Sequence, residues 1–180
     1  MSVAARKLTY ADYAKIPEDG NRHEILGGDW YMTPAPNTDH QSVVIALGAL
    51  FRNFASSTGA GRAFVAPTDV LLSIHDIVQP DVLFVVKTRT SIIEHAFIRG
   101  APDFVVEVLS PTTASIDRGQ KLALYERSGV REYWIVDPQA RTVEVHDFGS
   151  PRRVMVHDDR RAIESVSAPG LQVSVAEIFS

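Results

Sequence analysis

The sequence predicts an α/β fold, a mixed β-sheet core flanked by helices with an additional β-hairpin, and three observations carry the prediction. Two short apolar runs, DVLFVV at residues 81–86 and DFVVEVL at residues 103–109, each open just after a proline. Neither alternates polar with apolar residues, which suits central strands covered on both faces. The chain order is helix, several strands, helix, strands, the pattern of a sheet with helices packed on it.

The elements follow in order. Thr9 and Asp12 resemble a capping box opening a short helix that must stop by Pro17, because proline cannot sit inside it. Residues 23–32 (HEILGGDWYM) read as two strand pieces around the Gly27-Gly28 turn. The longest turn-rich stretch, residues 33–38 (TPAPNT), is too short to divide the chain, so a single domain over residues 1–180 is expected. Val43, Ile45, Leu47, Leu50, Phe51 and Phe54 then recur at mixed three-to-four spacing, which favours a buried amphipathic helix ending near Gly59. Residues 63–66 and 69–74 look like strands split by Pro67. After the two apolar strands, residues 115–128 read as a helix closed by Gly129. Residues 132–136 and 142–146 form a hairpin across the DPQA turn.

Composition narrows the function. Of 180 residues, 45% are hydrophobic and 22% charged, as in a soluble globular domain. The absence of cysteine excludes disulfides, thiolate zinc sites and thiol nucleophiles. The start lacks the apolar core of a signal peptide, and no segment approaches ~20 uninterrupted apolar residues. A cytoplasmic, non-membrane protein is therefore expected. The net charge of −4 argues against a globally basic nucleic-acid glove. A bound cation can invert the local sign, so a phosphate site is not excluded.

The informative anomaly is Glu107, an ionisable side chain inside an apolar strand. Period two places Asp103, Val105, Glu107 and Leu109 on one sheet face. A carboxylate buried there without a partner would cost several kcal/mol, by the ~1–3 kcal/mol or more of unpaired polar burial, or would protonate. Asp81 sits at the mouth of the other apolar strand, so two strands deliver one carboxylate each toward a shared point. Hard oxygen ligands without cysteine or paired histidines suit Mg²⁺ or Mn²⁺ better than zinc. On the following helix Arg118, Lys121 and Tyr125 share one stripe that can face the carboxylates. A lysine there can position an attacking water and stabilise charge on a phosphorane-like transition state.

The stretches QPDVLFV at residues 79–85, GAPDFVVEVLSPTT at residues 100–113 and GVREYWIVDP at residues 129–138, together with Asp117, Lys121 and Tyr125, resemble the Uma-two family of endonucleases. That family is a branch of the PD-(D/E)xK superfamily. The likeness also takes in HEILGGDWYMTPAP at residues 23–36 and the helix after His40, and so covers nearly the whole chain. It implies a restriction-endonuclease-like core in which Asp81 and Glu107 ligate Mg²⁺, with the main-chain carbonyl of Val108 as a further oxygen. Leu109 stands where the plain superfamily pattern has lysine, and Lys121 on the next helix matches the position to which this branch moves it. Glu24 matches a recurring acidic position and would complete the metal shell directly or through water.

Blander readings accompany each residue. Asp81 and Glu107 can belong to a buried ion pair, Lys121 can pair with Asp117, and Glu24 can pair with Arg22. Asp103 is expected to cap its strand and Asp69 its own turn. His40, at the start of the long helix, is read as meeting solvent rather than binding a phosphate. His23, His75, His95, His146 and His157 are read as surface residues. Arg152, Arg153, Arg160 and Arg161 read as a solvated hairpin, because Asp158 and Asp159 between them cancel much of their field.

The first functional reading is a Mg²⁺-dependent phosphodiesterase acting on DNA, with Mn²⁺ as a substitute and Arg118 and Tyr125 as candidate phosphate contacts. A duplex cutter needs two sites, so a homodimer is expected, with the exposed edge of the hairpin at residues 132–146 as one candidate surface. The alternatives are a non-catalytic binding or assembly module retaining the fold, and a metal-free two-carboxylate glycosidase. Removing Asp81 or Glu107 is expected to preserve or raise stability without metal, since like charges relax.

Overall fold

The computed structural model of the chain describes residues 6–33 and 35–180, so residues 1–5 and Pro34 of the turn-rich stretch lie outside the described residues. The short helix α1 spans Tyr10–Tyr13, and the Asp12 carboxylate accepts hydrogen bonds from the Thr9 backbone and hydroxyl at 2.9 Å each. The next pair, β1 (Arg22–Leu26) and β2 (Asp29–Thr33), is antiparallel across Gly27 and Gly28. Both glycines have positive φ, at 61° and 89°, which a two-residue hairpin of this type demands.

The long helix α2 runs Thr38–Thr58, opened by the Asn37 side chain on the His40 N–H and closed by Gly59 at φ 66°. Four strands follow: β3 (Gly61–Val65), β4 (Val70–Ser73), β5 (Asp76–Val78) and β6 (Val82–Val86). Then come β7 (Ile98–Arg99) and β8 (Phe104–Val108). Residues 114–128 are helical throughout, as α3 (Ala114–Ile116), a π-helical turn at Asp117–Lys121 and α4 (Leu122–Ser128). Gly129 at φ 90° ends the run. The chain finishes with β9 (Glu132–Asp137), β10 (Thr142–Asp147), β11 (Arg153–His157), β12 (Ala162–Glu164), β13 (Gln172–Ser174) and α5 (Val175–Ile178).

The main sheet has six strands in the order β11-β10-β9-β8-β6-β3, with β8 and β9 parallel and the other neighbours antiparallel. A second sheet runs β2-β1-β5-β4-β7, and β12 pairs with β13. Proline 67 therefore separates strands of different sheets, since β3 joins the main sheet and β4 the second.

Period two divides the central strands. Phe84, Phe104, Val106 and Trp134 face α2, where Val43, Leu47 and Phe51 are buried against them. The ring of Phe51 lies 4.8 Å from Phe104, and Phe104 lies 4.7 Å from Trp134. Truncating so enclosed a ring as Phe51 to alanine costs about 3–5 kcal/mol. Leu83, Val105, Tyr133 and Ile135 face the other way, against Leu124 and Tyr125 of α4 and Leu26, Val70 and Val78 of the second sheet. Glu107 projects on that second side.

Two expectations change. Ile45 is 69% exposed, and Val44 takes its place in the buried stripe of α2. The β9-β10 hairpin has no free edge, because β11 pairs with β10 along its full length. Its backbone groups are satisfied there, and the edge of the sheet on that side belongs to β11. Among the described residues, no helix is long and apolar enough to cross a membrane.

Candidate active site

Pro80 and Asp81 lead into β6, whose first residue, Val82, has Val106 of β8 as its cross-strand partner. Continuing that register by one residue brings Asp81 and Glu107 to the same end of two neighbouring strands. Asp81 is 2% exposed. Its Oδ1 accepts from Arg22 Nη1 at 2.5 Å, and its Oδ2 accepts from the Val108 N–H at 2.8 Å and meets His40 Nε2 at 3.1 Å. Burial opposes the charge on Asp81, but the hydrogen bond of His40 and the guanidinium of Arg22 outweigh it and hold the carboxyl below its ordinary range.

Glu107 is held differently. Its Oε1 accepts from Lys121 Nζ at 2.9 Å and from the Tyr125 hydroxyl at 2.7 Å. Lys121 also lies 2.9 Å from Glu24 Oε1 and 3.8 Å from Asp117 Oδ1. Glu24 is fixed in turn by the Gln79 N–H at 2.7 Å. Asp117 and Lys121, four residues apart at the two ends of the π-helical turn, are presented to the same point. Burial pushes the Glu107 carboxyl up to about 8, against the pull of Lys121 and with help from the charges of Asp117, Asp81 and Glu24. Burial likewise raises Asp117. Lys121 is fully enclosed, which by itself would favour the neutral amine, yet Glu107, Glu24 and Asp117 keep it protonated well above its usual range.

Arg22, Glu24, Asn37, His40, Gln79, Asp81, Glu107, Val108, Asp117 and Lys121 line a cavity of about 200 Å³, with residues 110–113 along its rim. Its four carboxylates, when all are ionised, exceed the two permanently charged cations by two negative charges, an excess that a proton on Glu107 partly relieves when no ion is bound. A divalent ion balances that excess, and an all-oxygen carboxylate set is the chemistry Mg²⁺ and Mn²⁺ prefer. The residues present therefore fit such an ion. Among the described residues the acids are spread around the cations rather than gathered into a ready-made metal cluster.

The structure brings Asp81, Glu107, Lys121, Glu24 and Val108 to this cavity and leaves two other residues away from a substrate. Arg118 turns outward to Glu144 and Asp137, because the π-helical turn aims it at the hairpin rather than the cavity. Tyr125 is fully buried behind Glu107, where its hydroxyl holds a carboxylate instead of a phosphate. The surroundings of Asp81 argue against the expected relief of like charges on its removal. Its partners are the Arg22 guanidinium, His40 and the Val108 N–H, so its loss would leave all three without their acceptor.

Three participants were missed. His40 is buried, not solvent-facing, and lies on the same helical stripe as Val43, Val44 and Leu47, a spacing readable beforehand. Arg22 shares a face of β1 with Glu24 by period two. Asp117 enters the sequence reading within the resemblance and as a partner for Lys121, but with no place in the site. Two other histidines are buried rather than superficial, His23 against Asp19 and Trp30 and His146 against Glu144. Asp103 accepts from the Val86 N–H and Arg89, tying its strand start to the neighbouring segment. Asp69 links Tyr13 and Gln79 across elements rather than capping its own turn.

The profile of the Uma2 family, described as putative restriction endonuclease, matches residues 10–176. The chain belongs to the Uma2 family. An uncharacterized protein of Synechocystis sp. is 26% identical over 149 residues, covering 78% of this chain and 74% of that protein. The crystal structure of a putative nuclease belonging to DUF820 from Anabaena variabilis superposes with a TM-score of 0.81 at 21% identity, covering 96% of this chain and 97% of the other. At that identity the superposition shows a shared fold, and this Uma2 chain accordingly has the nuclease-type mixed sheet that the resemblance implied.

Proposed function

We propose that this Uma2 protein is a metal-dependent endonuclease-like phosphodiesterase that hydrolyses DNA. The observation that supports it most is the cavity at the ends of β6 and β8, where four carboxylates meet only two permanent cations. Asp81 and Glu107 would hold Mg²⁺, or Mn²⁺ in its place, with Glu24 and the main-chain carbonyl of Val108 as further oxygens. When bound, the ion supplies Lewis-acid polarisation of the phosphodiester and a more acidic water. Lys121 keeps its proton among the carboxylates, so its role is to stabilise charge developing on the phosphoryl oxygens rather than to take a proton from water. Arg22, at the cavity wall, supplies a second cation toward a phosphate. Tyr125 and the Val108 N–H orient the two acids.

One observation favours the alternative of a non-catalytic module. Both oxygens of Asp81 already have partners in Arg22, His40 and Val108. Incubating single- and double-stranded DNA with Mn²⁺ or Mg²⁺, wild type beside Glu107→Ala, separates the readings. Metal-dependent cleavage by the wild type alone is the expected result. Equal cleavage by Glu107→Ala, or none by either protein with no Mn²⁺ binding, refutes the catalytic proposal.

A further inference from the structure

The main sheet ends in an edge strand of unusual composition. Arg153–His157 reads RVMVH, and Val154, Met155 and Val156 are 50%, 45% and 65% exposed. Successive residues point to opposite faces of a strand, so β11 is apolar toward solvent on both sides. Its inner edge pairs with β10. Its outer edge carries the unpaired N–H and C=O groups that natural sheets usually guard with a charge or proline inside the strand. Here the guards stand only outside the apolar centre, as Pro151, Arg152 and Arg153 before it and Asp158 and Asp159 after it.

That arrangement is complementary to itself. In an antiparallel pairing of two β11 strands about a two-fold axis at Met155, Val154 lies opposite Val156 and Arg152 opposite Asp158. Arg153 reaches Asp159 on the diagonal, a distance that long side chains span. The two-fold repeats every pair at the other end, giving a closed, isologous contact. Opposite charges thus flank an apolar centre in the one register that also buries it. Arg152 already meets Glu126 at 3.0 Å, and it is exposed enough to serve both carboxylates.

We propose that β11 is the self-association edge of this protein, pairing antiparallel with β11 of a second copy to join two six-stranded sheets into one. The partner is a second copy rather than an unrelated peptide, because both halves of the charge pattern lie on the same strand. A strand edge buries less than the ~1,200 Å² of a standard stable interface, so the dimer is a reversible, concentration-dependent one.

The experiment is sedimentation of the full chain over a concentration series, using two charge variants. One carries Arg152→Asp with Arg153→Asp, and the other carries Asp158→Arg with Asp159→Arg. Each variant alone faces like charges at both ends and is expected to be monomeric, with an unchanged circular dichroism spectrum. Their equimolar mixture restores opposite charges at both ends and is expected to dimerise. A wild type that stays monomeric up to ~1 mM overturns the proposal, as does a mixture no more associated than its components. Met155→Lys, placed on the axis, is expected to abolish the wild-type dimer, and a dimer that survives it likewise overturns the proposal. None of these residues lines the catalytic cavity, so cleavage activity and dimerisation are scored separately.

Discussion

Replacing Glu107 with glutamine tests how the cavity stores its excess charge. Glutamine keeps an oxygen for Lys121 and Tyr125 but cannot ionise. In the folded wild type, burial lifts this carboxyl from 4.5 to about 8, so between those values the folded chain binds a proton that the unfolded chain has released. Stability must then fall as pH rises across that window. The contribution is fully present below the unfolded value and lost once pH passes the folded one. At ~1.4 kcal/mol for each pH unit, the whole span is at most about 5 kcal/mol. Urea denaturation in the presence of a chelator, from pH ~5 to ~9, should show the gap between Glu107→Gln and wild type widening with pH by up to that amount. Adding Mn²⁺ should recover the wild type at the alkaline end and leave the variant unmoved. Parallel pH profiles for the two proteins would refute the reasoning, because they would mean that Glu107 is ionised throughout and simply paired with Lys121.

Three further outcomes follow from the same geometry. Asp81→Ala strips a partner from Arg22, His40 and the Val108 N–H together, and it should lose about 3–5 kcal/mol by urea denaturation, the typical result of breaking a buried charge pair. Lys121→Met should depress turnover while leaving Mn²⁺ affinity unchanged or tighter in a calorimetric titration, since it removes a competing cation from Glu24, Glu107 and Asp117. Loss of Mn²⁺ affinity would instead assign Lys121 a purely structural role. Arg118→Ala should leave DNA binding and cleavage at wild-type levels and change stability by less than ~1 kcal/mol, as expected of an exposed ion pair.

Much of this architecture was legible in the sequence because the signals were local. Proline and glycine punctuation located the β1-β2 hairpin, the end of α2 and the strand that carries Glu107. The carboxylate inside FVVEVL announced itself because an apolar strand offers no ordinary reason for one. The partners of the acids were less legible. His40 and Arg22 lie far in sequence from Asp81, and only the pairing of β1 with β5 and the seating of α2 bring them to it. Lys121 and Tyr125 do share the face that meets Glu107, but Tyr125 is sealed behind that carboxylate and Arg118, three residues before Lys121 in the widened turn, points to the hairpin, and neither burial nor widening is readable from spacing. The open edge was assigned to the hairpin because nothing local reveals that β11 returns to cover it.

The widened winding at Asp117–Lys121 has an evolutionary and engineering consequence of its own. A π turn is an α turn carrying a single surplus residue, and Gly119 within it has no heavy atom within 4 Å of where a side chain would begin. Deleting Gly119 would let residues 114–128 rewind as an ordinary α-helix. The segments on either side would keep their places, because the single surplus residue is what the wider winding absorbs. Asp117 and Lys121 would then stand three residues apart rather than four, a spacing that still shares one helical face, so the cluster would keep its four acids. The acidic grouping thus tolerates a change of chain length at this turn, where the residue that can be lost carries no charge and touches none of the acids.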